Sequence, residues 1–249
     1  MLRMQHSMST RQGIKDDIMK TSRLLLAATT LLTFVASPLL AAEPGTWKLR
    51  AGVGTVAPES NNLTTDLGGD TLVIDVDDGT ALTLSATYMF TEHWAFDILA
   101  SSPFSHDITA TVIASVDPGF STNPVKIAET KHLPPTFSVQ YHFMPDGQFQ
   151  PFVGLGVNWT TFFDTKVDPA LAAGGITGLD LDDSFGIAAQ IGADLMLSDR
   201  WLVNLDVRWI NIETDAALSG EAFAPATKVD IGTVTIDPWV YAVNVGYSF

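Results

Sequence analysis

Two histidines, His106 and His132, flank a long loop, and Ser102, Ser105 and Asp107 lie close in sequence, the residue types of an acyl-transfer site. Such a site needs a nucleophile held beside its base on a strained elbow. No such elbow is visible around Ser102 or Ser105, so packing roles for the histidines are the expectation, and no enzymatic activity is expected. Asp75, Asp77, Asp78 and Gly79 gather carboxylates as a calcium loop does, but at the wrong spacing for an EF-hand. With Glu59, Asp66 and Asp70 they read instead as a solvated acidic surface. Divalent cations could bridge that surface to lipopolysaccharide phosphates. The chain has no cysteine, which excludes disulfides and thiolate metal sites, and no cofactor is expected.

A third set of polar residues is spread through the chain: Arg50, Asp97, Gln140, His142, Asn158, Gln190, Asp194, Asn204, Asp206 and Arg208. Each lies inside a run of alternating apolar residues. Charges in such positions are costly unless they pair.

The elements that carry them are strands. The final segment sets the pattern: Trp239, Tyr241, Val243, Val245, Tyr247 and Phe249 alternate with Val240, Ala242, Asn244, Gly246 and Ser248. A period of two is the signature of a strand with unlike faces. Seven further segments repeat it, at about 47–57, 81–90, from 94, and around 137–143, 153–160, 185–195 and 201–209. The connections alternate between short turns (91–93, 144–149, 198–200) and long loops (58–80, 101–131, 164–183, 213–235). An even strand count can close into a barrel, and a bilayer demands closure because an open edge leaves backbone groups unpaired in hydrocarbon. The prediction is all-β: an eight-stranded antiparallel transmembrane barrel with short periplasmic turns, long extracellular loops and both termini periplasmic. Trp47, Phe90, Trp94, Phe143, Trp201 and Phe249 should form one aromatic girdle, and Trp159, Phe163, Trp209 and Trp239 the other. A soluble lipid-binding barrel would put its large residues inside, but there are more of them than an eight-stranded lumen can hold. The small and charged face is therefore the lumen.

Residues 1–42 read differently. Lys20 and Arg23 precede the apolar run Leu24 to Leu40, and Ala41-Ala42 follow, the layout of a secretory signal peptide, with Met19 as an alternative start. The barrel should then occupy 43–249. The whole chain carries −15; residues 1–42 contain five basic and two acidic residues, so the remainder carries −18. Such a surface is unsuited to nucleic acid.

Several stretches resemble the OmpW family of small outer-membrane porins, which includes alkane-uptake proteins. They are Trp47-Lys-Leu-Arg-Ala-Gly, Ser102-Pro-Phe-Ser-His-Asp-Ile, Leu133-Pro-Pro-Thr, Gln140-Tyr-His-Phe, Pro151-Phe-Val-Gly-Leu-Gly-Val-Asn-Trp-Thr, Asp237-Pro-Trp-Val-Tyr and Gly246-Tyr-Ser-Phe. Their order along 43–249 makes the set specific, while the prefix before Met19 departs from the family. The resemblance implies a monomeric barrel in the Gram-negative outer membrane with a narrow path for small hydrophobic molecules. By likeness to other such barrels, Tyr247 and Phe249 form a signal for the barrel-assembly machinery.

These readings combine into a channel expectation. The ten polar residues plug the lumen, and Val56, Leu99, Phe162 and Ile210 line an apolar funnel above it. A solute stopped by the plug leaves sideways into the bilayer near Pro134 and Pro135, which cannot donate to a strand ladder. The alternative function is a surface barrel whose loops bind a phage, a bacteriocin or a host surface.

Overall fold

The structure, a computed structural model, describes residues 43–249 except 116, 118–120, 225 and 227. The expected signal segment and the choice of start codon lie outside the described residues.

Eight strands close on themselves: β1 (Trp47–Ala57), β4 (Gly79–Met89), β5 (Trp94–Ser101), β8 (Thr136–His142), the 19-residue β9 (Phe149–Val167), β11 (Ser184–Met196), β12 (Trp201–Ile210) and β15 (Trp239–Ser248). Every neighbouring pair is antiparallel, and β15 against β1 completes the ring with Lys48 opposite Ser248 and Ala57 opposite Trp239. Trp47 and Phe249 exchange backbone hydrogen bonds at 2.9 Å, so both ends of the barrel segment lie at one rim. The turns at that rim are short: Phe90 N–H donates to the Trp94 carbonyl and Leu197 N–H to that of Trp201.

The alternation read from sequence sets which face is which. Leu82, Leu84, Leu155, Phe185, Ile187, Leu205 and Val243 point outward and are well exposed to the surroundings, Phe185 at 75 %. In water this would be a large aggregation-prone surface. In a bilayer it is the face that matches the solvent. At the terminal rim Trp47 packs on Tyr88 (4.9 Å between centroids), Trp94 on Tyr141 (5.0 Å) and Trp201 on Tyr247 (5.1 Å), an interfacial ring of amphipathic aromatics. Residues of the opposite register, such as Arg50, Asp97, Asn158 and Asp194, are almost fully buried in the lumen.

The long connections are not irregular. They fold into β2 (Leu63–Leu67), β3 (Asp70–Val76), β6 (Phe104–Ala114), β7 (Val125–Leu133), β10 (Gly178–Leu181), β13 (Glu213–Ser219) and β14 (Lys228–Thr235), with a short α-helix, α1 (Pro169–Ala173), and a 3-10 turn (Glu221–Phe223). The upper part of β9 leaves the barrel and pairs with β7, extending the sheet in the order β9-β7-β6-β3-β2. A separate sheet, β10-β13-β14, lies over the same opening. The physical reason is that these segments also alternate. Leu72, Ile74 and Val76, or His106, Ile108 and Ala110, present one apolar face that must be covered, while Asp75 and Asp107 point elsewhere.

Candidate functional site

The lumen holds an ion-pair network built from facing strands. Arg50 on β1 and Asp194 on β11 meet as a two-pronged pair, Nε to Oδ1 at 3.0 Å and Nη2 to Oδ2 at 2.7 Å. Lys48 Nζ adds a third donor to Asp194 at 2.9 Å and also donates to Gln150 at 2.7 Å. Arg208 on β12 donates to Asp97 at 2.9 Å and to Asp206 at 2.8 Å. Thr87 links the two halves: it accepts from Arg50 and donates to Asp97 at 2.6 Å. Three cations, Lys48, Arg50 and Arg208, therefore balance three carboxylates, Asp97, Asp194 and Asp206. A neutral, mutually hydrogen-bonded cluster avoids the penalty of burying unpaired charge. Asn204 extends it, donating to Asp194 at 2.9 Å and accepting from Asn244 at 2.9 Å.

Beside this network the fully buried Phe152 ring crosses the lumen, 5.7 Å from the Arg50 guanidinium and 5.0 Å from His142. It fits because residue 192 is glycine: a Cβ there would stand 2.4 Å from the ring. Gln140 Oε1 accepts from His142 Nε2 at 3.1 Å, and Asn158, nearer the mouth, donates to Thr136 and to the Pro135 carbonyl. Gln190 lies against Gly154, and its amide has no partner among the described residues. All ten polar positions singled out from the sequence are thus buried in the lumen. Lys48, Thr87, Gln150, Phe152 and Asn244, which share the plug, were not among them. Their register gave them away, since each lies in phase with an inward neighbour on its own strand.

Above the plug sits a packed apolar layer and then a cavity. Val56, Ile210, Ile212, Phe104 and Val240 form the layer with Ala216, Val234 and Ile236 from the extension. The cavity, of about 460 Å³, lies between the two extracellular sheets, with walls including Leu72 and Ile74 of β3, Ile108 of β6, Phe162 of β9, Leu179 of β10 and Leu218 of β13. Of the four positions expected to line a funnel, Phe162 is in the cavity wall. Val56 and Ile210, each 1 % exposed, belong to the packed layer beneath it. Leu99 is half-buried on β5, opposite Thr136, outside both groups.

The wall of the barrel has a break beside this layer. Pairing between β5 and β8 ends at Leu99 with Thr136, and pairing between β6 and β7 begins at Phe104 with His132. Between them Ala100–Pro103 faces Leu133–Pro135 with no ladder, and three of those residues are prolines: Pro103, Pro134 and Pro135. Proline lacks the N–H that a ladder needs. The carbonyls of Pro134 and Pro135 are satisfied on the other side, by Thr136 Oγ1 at 3.1 Å and by Trp159 N–H at 3.1 Å.

The histidines and serines considered for acyl transfer do not assemble. His106 Nδ1 bonds to the Asp77 carbonyl at 2.5 Å, Ser105 Oγ donates to Glu129, and Ser102 Oγ accepts from Leu82 N–H.

Comparison with known proteins gives a consistent picture. The family model described as the OmpW family matches residues 43–249. Outer membrane protein W of Vibrio cholerae is 39 % identical over 88 % of this chain and 95 % of its own. The crystal structure of the outer membrane protein OprG from Pseudomonas aeruginosa superposes with a TM-score of 0.74 at 34 % identity, covering 85 % of this chain and 99 % of that one. A more distant relative, the dibenzothiophene metabolism operon protein PahQ of Pseudomonas aeruginosa, is 26 % identical over 86 % of this chain and 93 % of its own.

Proposed function

The chain belongs to the OmpW family of outer-membrane β-barrels, and from that membership we propose that it is a passive route for small hydrophobic molecules into the outer membrane. The observation that carries the reading is the stacking of an apolar cavity on a closed, charge-neutral plug. Water and ions have no reason to collect in such a cavity, and the plug leaves them no path. An apolar solute gains on leaving water, by about 25 cal/mol per Å² of surface buried. It then needs an exit that does not cross the plug.

The unpaired stretch between Ala100–Pro103 and Leu133–Pro135 supplies one. It lies beside His132 and Phe162 of the cavity wall, so a solute can move from the cavity to the acyl chains without entering the lumen. Phe162 lines this path, with Val56 and Ile210 as the floor that turns the solute sideways and Leu99 at the edge of the break. A relative named for a dibenzothiophene metabolism operon accords with this reading, since dibenzothiophene is an apolar solute. The protein acts as a monomer: the ring of eight strands is complete within one chain. Tyr247 and Phe249 serve barrel assembly, and the acidic extracellular strands meet lipopolysaccharide through divalent cations.

The test is the initial uptake rate of graded apolar solutes by cells lacking the chain, with and without its re-expression. Faster uptake that grows with solute hydrophobicity supports the route. Equal rates in the two strains, with the barrel present in the outer membrane, refute it.

A further inference from the structure

Four rings cluster where the cavity meets the packed layer, with His106, His132 and Phe162 in the cavity wall and Phe104 in the layer below. Phe104 and His132 lie 5.5 Å apart, His132 and His106 4.8 Å apart and nearly parallel, and Phe162 sits 5.8 Å from His132 on the barrel side. The two imidazoles lie in a wall that is otherwise almost wholly apolar. Their polar capacity is used unequally. His106 gives its Nδ1 proton to the Asp77 carbonyl, which can only accept. Its Nε2 is pressed against Gly79, where a Cβ would come within 2.8 Å of it, so that edge is shut to a ligand.

His132 is different. It is 4 % exposed, it lines the cavity, and no hydrogen bond among the described residues engages it; its Nε2 is buried without a partner. Thr130 is paired with Thr165 at 3.0 Å and Thr214 with the Asp182 carbonyl at 2.7 Å, while the Nε2 of His106, also unpartnered, is the edge shut against Gly79; His132 alone of these makes no hydrogen bond among the described residues. A buried polar group left unpaired is costly and calls for an explanation. A half-turn of the His132 ring about its Cβ–Cγ bond keeps the stack while exchanging which edge faces the cavity.

We propose that the cavity favours apolar molecules bearing a single hydroxyl, which hydrogen-bonds the imidazole of His132. This rests on the proposed hydrophobic route and names the class of solute that route prefers. Neutral imidazole offers one donor and one acceptor, and a hydroxyl can answer either. An alkane of equal length fills the same space and leaves the ring unsatisfied. A carboxylate or an ammonium meets no opposite charge, because no lysine, arginine, aspartate or glutamate lines the cavity among the described residues. Burial holds His132 neutral, pushing its pKa down to about 3, with the neighbouring His106 acting in the same direction. The ring therefore meets the ligand as a hydrogen-bonding partner and not as a cation.

The experiment uses the full barrel in phospholipid nanodiscs, with 1-octanol and octane as ligands and 1-aminoanthracene as the displaced fluorophore, corrected for partition into empty nanodiscs. The alcohol should compete about tenfold better than the alkane, the size of one net hydrogen bond. His132→Phe, which keeps an aromatic ring in the stack, should bring the alcohol to parity while octane is unchanged. His132→Gln should restore part of the preference. In wild-type protein, 1-octanol but not octane should shift the imidazole ¹⁵N resonances of His132. That reading stands even if a variant fails to assemble. A preference that survives His132→Phe, or no ¹⁵N shift with 1-octanol bound, overturns the assignment and leaves the ring a packing element. Failure of both ligands to displace the fluorophore instead overturns the hydrophobic route itself.

Discussion

Arg50 and Asp194 lie on strands that are not neighbours, yet they meet across the lumen through two parallel hydrogen bonds of 3.0 and 2.7 Å, both side chains almost fully buried. In the proposed reading this pair is the centre of the plug. A planar guanidinium held in register by a carboxylate, with Lys48 and Thr87 completing the shell, occupies the space that an aqueous pore would need.

Removing one member should therefore be far worse than the modest effect of a surface pair. Asp194→Ala leaves Arg50 and Lys48 without their shared anion, and a buried charge stripped of its partner costs about 3–5 kcal/mol. The unfolding midpoint of the purified barrel in urea should fall accordingly, measured by the band shift between folded and heat-unfolded forms on gels. A drop comparable to that of an exposed pair such as Lys131–Asp164 would show that the network is not a structural plug.

Narrowing the cavity should slow uptake without touching the barrel. Leu179 sits in the cavity wall on β10, outside the membrane-spanning ring, and is only partly buried. Leu179→Trp puts a larger ring into the cavity at an overpacking cost of about 1–3 kcal/mol borne by the extension. Uptake of a bulky apolar solute should fall while barrel stability holds. Equal uptake would place the solute's path elsewhere.

The extension should loosen in acid before the barrel does. His132 is held neutral in the folded protein, with its pKa pushed from 6.5 to about 3 by burial, and burial lowers that of His106 as well. The unfolded chain binds those protons more readily than the folded one, so stability falls as pH drops below about 6.5 and keeps falling until the pH nears 3. Within that window each pH unit costs up to about 1.4 kcal/mol for His132. Amide hydrogen exchange along the β6–β7 ladder should therefore accelerate between pH 6.5 and 4.5 more than along the β1–β15 ladder. His132→Phe should flatten that difference.

The barrel was legible from residue pattern because lipid enforces it. A bilayer leaves no tolerance for a misplaced large residue or an unpaired strand, so runs such as Trp239 to Phe249 and Trp201 to Trp209 state their inward and outward faces openly. The buried placement of Arg50, Asp97 and Asp194 followed from the same alternation, since they could only point inward once the lipid face was known. What stayed hidden was the folding of the loops. Leu63–Leu67, Asp70–Val76 and Phe104–Ala114 also alternate, but their outward residues are threonine and aspartate, which read as solvated loop. The apolar mouth changed meaning for that reason. Val56 and Ile210 face inward as expected, yet Ala216, Val234 and Ile236 fold back over them from the extension, moving the open space upward to Phe162 and His132. Only long-range pairing could reveal that. Likewise Pro134 and Pro135 were legible as poor ladder residues, but that they stand opposite Pro103 in one gap depends on the register of the two hairpin arms.

That gap offers the most direct measurement of the route. Replacing Pro103, Pro134 and Pro135 together by valine restores the missing backbone donors between Leu99–Thr136 and Phe104–His132, allowing the ladder to close across the break. Cells carrying equal amounts of folded wild-type or variant barrel would be compared for the initial uptake rate of an apolar solute. Hydrogen exchange at the new amides would report whether the gap has closed. With the gap closed and the cavity intact, uptake should drop to the level of cells lacking the protein. Uptake that continues at the wild-type rate through a closed wall would contradict a lateral exit.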